Sequence, residues 1–146
     1  MSLDVDVASE RVRAPVSRDR VVALAKAVLR AQRVRHALVS ITFVSRRHIA
    51  VLNRRHLDHH GETDVISFGF ARSNKREPVI GDVYIAPEVA RDNARVRRIP
   101  VREEIVRLVV HGILHVLGFD HPTDTDRESS TMWRRQERLV RRLARA

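Results

Sequence analysis

Leu3, Val5 and Val7 alternate with Asp4 and Asp6 at the start of the chain, the period-two pattern of a strand with one buried face. Pro15 and Ser17 then open a helix. Its apolar positions Val21, Leu24, Ala25 and Val28 recur at the i, i+3, i+4, i+7 spacing of one helical face, and Ser17 is placed to cap it. Residues 37 to 44, ALVSITFV, read as a second strand, and Ser45 caps a second helix whose inner stripe is Ile49, Leu52, Asn53 and His56. Arg54 and Arg55 fall off that stripe. DVISFGF (64–70) and VIGDVYIA (79–86) read as two further strands joined by the polar loop ARSNKREP. Pro87 suits the first turn of a short helix. Pro100 precedes Glu103 and Glu104, acids that favour a helix N-terminus. The helix they open runs to Leu117, is apolar on nearly every side apart from Arg107 and its histidines, and ends at Gly118. Thr125 and Glu128 have the spacing of a capping box for a last helix with Met132, Gln136, Leu139, Val140 and Leu143 on one face.

The order β-α-β-α-β-β-α-α-α predicts one α+β domain over residues 1–146, a small mixed four-stranded sheet packed with about five helices around one buried central helix. Composition agrees: 43% apolar and 32% charged residues describe a soluble globular chain rather than a disordered one. MSLDVDVASE lacks the basic start and apolar run of a signal peptide, and no stretch reaches the roughly 18 apolar residues of a membrane span, so a cytoplasmic location is expected. Charge changes the picture. The net value is +10, and all but two of the 28 basic residues are arginine. Such a surplus points to a polyanion, with nucleic acid first among candidates.

The chain has no cysteine, which excludes disulfides, thiolate metal sites and cysteine nucleophiles. It has eight histidines, and three of them fall within HGILHVLGFDH, residues 111 to 121. His111 and His115 stand at i and i+4, so both imidazoles leave one helix face about a turn apart. Gly118 breaks the helix and lets His121 return toward the same point. Three nitrogen ligands leave one tetrahedral position open, the arrangement of a catalytic zinc site, although imidazole also suits copper, nickel and iron. Asp120, Asp124 and Asp126 flank the third histidine, and His59 and His60 are expected as a solvent-facing loop pair. The spacing is similar to the metal-binding helix of metzincin proteases, with a zincin-like central helix. Those enzymes place a glutamate after the first histidine, and here Gly112 stands there. A peptidase reading therefore lacks its general base.

HGILHVLGFDH, with TDVISF (63–68) and GDVYIAPEV (81–89), resembles the YbeY endoribonucleases, or rRNA maturation factors, over most of the chain. The resemblance implies a zinc-dependent, single-strand-specific endoribonuclease acting in maturation of the small-subunit rRNA 3′ end and in ribosome quality control. Its partners would be single-stranded RNA, rRNA and the small ribosomal subunit. It implies one zinc per chain on His111, His115 and His121, with Thr63, Asp64, Ser67 and Phe68 shaping the site and Gly81 and Asp82 opening a strand beside the cleft. Where members of that family often carry an arginine, six residues before the T-D-V block, this chain has Leu57. The resemblance therefore assigns that role to no residue, and Arg54 and Arg55 just upstream are the candidates for a catalytic phosphate contact. Water or the RNA 2′-hydroxyl could serve as nucleophile. The rival readings are a non-catalytic assembly factor with a structural zinc, and a zinc peptidase.

Overall fold

A computed structural model describes residues 1–57, 63–119 and 131–144, with only the backbone of His56 and Leu57. The elements follow the predicted order: β1 Ser2–Ser9, α1 Arg18–Ala31, β2 His36–Phe43, α2 Arg46–Leu57, β3 Val65–Gly69, β4 Val79–Ile85, α3 Pro87–Arg97, α4 Val101–Val116 and α5 Thr131–Leu143. The sheet order is β1-β2-β4-β3. β1, β2 and β4 are parallel, while β3 runs antiparallel to β4 with Ser67 opposite Val83. Among the described residues this is the mixed four-stranded sheet with five helices, the α+β fold that the patterning predicts.

The expected caps form. Ser17 Oγ accepts from the Arg20 N–H at 3.2 Å, and Ser45 Oγ accepts from the His48 N–H at 3.0 Å. Gly118 takes φ 99° just past α4, a left-handed conformation natural to glycine. The Thr125–Glu128 capping box lies outside the described residues.

One face of the sheet, carrying Val7, Val39, Ile41, Val83 and Ile85, packs with α1, α4 and α5 into the main core. The other face is covered at one end, where Ile49 of α2 meets Val44, Ile66, Ala86 and Val89. Elsewhere on that face, among the described residues, Leu38 and Ile80 are exposed. Among the described residues no helix is long and apolar enough to cross a membrane.

α4 is the centre of the main core, with Ile105, Val109, Val110, Ile113 and Leu114 buried. Its last turn sits in a notch of two glycines. Gly69 and Gly81 are register partners across β3 and β4, and both face Val116. A Cβ at Gly81 would lie 2.5 Å from Val116 Cγ1 and 2.8 Å from the Phe68 carbonyl oxygen, so only glycine admits the helix this close.

Glu104, in the first turn of α4, departs from the helix-dipole role its position predicts. It is 1% exposed and accepts from Arg107 at 3.0 Å and from Arg97 at 3.4 Å. Arg107 in turn donates to both carboxylate oxygens of Glu137 on α5, each at 2.9 Å. This fork-to-fork pair ties α5 to α4 in a fixed rotation. Burial works to raise the Glu137 carboxyl, but hydrogen bonds from Arg107 and Gln136 and the charges of Arg107 and Arg97 outweigh it, holding the group below its ordinary range.

Gly81→Ala should destabilise the fold by about 1–3 kcal/mol through overpacking, read by urea unfolding. Arg107→Met should cost roughly 3–5 kcal/mol, because it removes the cation from the Glu137 carboxylate and leaves buried Glu104 only its longer contact with Arg97. The Glu137 contribution has a defined sign with pH. Its folded pKa is depressed, so its stabilisation is complete above the unfolded value and is lost as pH falls through the folded one. Glu137→Gln should therefore flatten stability against pH on the acid side of the ordinary carboxylate range.

Candidate metal centre

The glycine notch and the buried stripe of α4 together fix what its remaining face presents. His111 and His115 are half-buried, in contrast to the buried residues between them. Their rings meet edge to face with centroids 4.5 Å apart. Two neutral imidazoles at that separation are a suitable donor pair for one borderline-soft cation. His121, the third predicted ligand, lies outside the described residues, as do Asp120, Asp124, Asp126, His59 and His60. Among the described residues no group of three or more potential ligands comes together.

His111 is held from behind. Its Nδ1 lies 2.7 Å from Oε1 of Gln136, which is 1% exposed on α5. The Gln136 amide nitrogen donates to Glu137 at 3.1 Å. Sequence patterning placed Gln136 on the buried face of α5 but did not connect it to the histidines. The available signal was a pair of polar residues, Arg107 and Gln136, inside two otherwise apolar stripes, since buried polar groups need partners.

Gly112 occupies the position of the metzincin glutamate. A Cβ there would lie 2.6 Å from Val83 Cγ1 and 3.5 Å from Val65 Cγ2, so the residue after His111 is turned onto the sheet and has no room for a side chain. Position 112 cannot present a carboxylate beside the histidines in this packing.

β3 runs beside the same helix. Val65 meets α4 at Gly112 and Gly69 meets it at Val116, which places Ser67, on the same strand face, alongside the turn that bears His115. Phe68 faces the other way and packs edge to face on Tyr84 at 6.2 Å. Asp82 is on that opposite face too, accepting from Ser40 Oγ at 2.6 Å, while its neighbour Gly81 faces α4. The residues of the two shorter motifs are thus divided between the two sides of the sheet.

Asp64 precedes β3 and accepts from Asn93 Nδ2 of α3 at 3.0 Å. Burial pushes its carboxyl above the ordinary range, against the opposing effect of its hydrogen bonds and of the Arg97 charge. Thr63 Oγ1 donates to the Val65 carbonyl at 3.4 Å, a local turn contact. Arg54 and Arg55 are exposed on the last turns of α2. The segment from Asp58 to Glu62, which joins α2 to the Thr63–Asp64 corner, is outside the described residues.

Comparison with known proteins gives the family and the fold. The model of the family described as endoribonuclease YbeY matches residues 6–144. The chain is 37% identical over 147 residues to an endoribonuclease YbeY of Acidothermus cellulolyticus, covering 86% of this chain and 89% of that protein. It is 28% identical over 142 residues to one from Syntrophus aciditrophicus, covering 95% and 89%. A solution structure of a Thermotoga maritima protein superposes with a TM-score of 0.60 at 23% identity over 95% of this chain and 88% of that one, which supports the fold. With a match running from the first strand to the last helix, the chain belongs to the YbeY endoribonuclease family.

Proposed function

We propose that the chain is a zinc-dependent endoribonuclease specific for single-stranded RNA, with one zinc per chain held by His111, His115 and His121. Family membership makes it an endoribonuclease, with RNA as its substrate. The observation that carries the metal dependence is the pair of facing imidazoles on α4, presented beside each other on a helix that is otherwise buried. Zinc bound there supplies Lewis acidity toward a phosphoryl oxygen and lowers the pKa of water.

The chain's own residues supply the rest. The arginine surplus attracts the phosphate backbone, and either Arg54 or Arg55 contacts the phosphate at the reacting position, the role for which Leu57 offers no charge. Gly112 denies the site the carboxylate that a peptidase would use, which favours the phosphodiester over the peptide. The substrate in the cell is the 3′ end of the small-subunit rRNA, with a part in ribosome quality control, in the cytoplasm and in contact with the small ribosomal subunit.

Zinc-loaded protein incubated with single-stranded RNA, duplex RNA and casein should cut the first in preference and leave casein intact. His115→Ala should lose tight zinc binding and cleavage together. One of Arg54→Ala and Arg55→Ala should lower turnover by roughly 10²–10³ at unchanged zinc content, as expected for a group that acts on transition-state charge. Equal turnover in both variants and wild type would remove arginine at these positions from the reaction. Full zinc loading with no cleavage of any RNA would favour an assembly factor whose zinc is structural.

A further inference from the structure

The polar contacts beneath α4 form one continuous series, from Arg97 through Glu104, Arg107, Glu137 and Gln136 to His111. Its direction is fixed at the Glu137 end. Arg107 donates to both oxygens of that carboxylate, so Glu137 is an anion and can only accept. The Gln136 amide must therefore turn its nitrogen to Glu137 and its oxygen to His111. The reverse orientation would set the amide oxygen against a carboxylate oxygen 3.1 Å away. An amide oxygen has no proton to give.

We infer that Gln136 is a positioning residue that holds the His111 proton on Nδ1 and leaves Nε2 as the ring's lone-pair nitrogen. The consequence for a metal rests on the zinc reading above: His111 meets the cation through Nε2, with its ring orientation fixed before binding. A histidine ligand held this way by a hydrogen bond to its other nitrogen loses less freedom on binding and is the more basic donor. Holding the His111 ring gives the buried polar series a function beyond tying α5 to α4. It also explains why an uncharged amide, rather than an aliphatic side chain of similar volume, lies on the apolar face of α5.

The decisive measurement does not need the metal. Long-range ¹H–¹⁵N correlation spectra of the metal-free wild-type protein, taken above the ordinary imidazole pKa of about 6.5, should show His111 protonated at Nδ1 with an unprotonated Nε2. Gln136→Met keeps the volume and removes the acceptor, and should leave His111 as a mixture of the two tautomers. In chelator competition, Gln136→Met should weaken zinc binding by roughly 10- to 100-fold. Should Gln136→Met fail to fold, the wild-type spectrum still decides the question. A wild-type His111 protonated at Nε2, or a folded Gln136→Met with an unchanged tautomer, overturns the inference. A wild-type protein that binds no zinc yet shows the Nδ1 proton sinks the zinc reading and leaves the role of Gln136 in place.

Discussion

The structure depends on burying α4 while keeping two of its imidazoles accessible. An all-round apolar helix packs with little rotational preference, because hydrophobic burial is non-directional. Two features remove that freedom. The Gly69–Gly81 notch seats Val116, and the Arg107 guanidinium donates to both oxygens of the Glu137 carboxylate. Together they fix the height and the rotation of α4, and with them the positions of His111 and His115. The ion pairs have a small net effect on stability, since desolvating the charges offsets much of their attraction. Their value lies in geometry.

The same helix separates two chemistries. Its sheet side, at Gly112, is buried and without space, whereas its histidine side is half-exposed. The division excludes a protease-like carboxylate at position 112 and leaves the two imidazoles accessible. Around it lies a chain whose positive charge suits a phosphate polymer, with the exposed Arg54 and Arg55 close in sequence to the Asp64 corner of β3.

What could be read in advance was what depends on neighbours a few residues apart. The α1 stripe, the Ser17 and Ser45 caps, the alternation of β1 and the His111–His115 pair are all set by local spacing, and each element appears where that spacing puts it. What escaped was set by partners distant in sequence. Glu104 reads locally as an acid at a helix start, and its burial depends on Arg97 at the end of another helix. Gly81 acquires its meaning only once β3 and β4 pair and Val116 comes down on both. Gln136 is 25 residues from His111, so no periodicity links them. Phe68 and Asp82 sit within motifs beside the histidine helix, yet the alternation of their strands turns them to the opposite face.

The central claim is that α4 presents His111 and His115 to a catalytic zinc completed by His121. Zinc K-edge X-ray absorption on the metal-loaded protein tests it most directly. The account predicts one zinc per chain with three imidazole nitrogens at about 2.0–2.1 Å and one further light atom from solvent. A shell of four imidazoles, closed by His59 or His60, or a zinc bound without the imidazoles of α4, would contradict it.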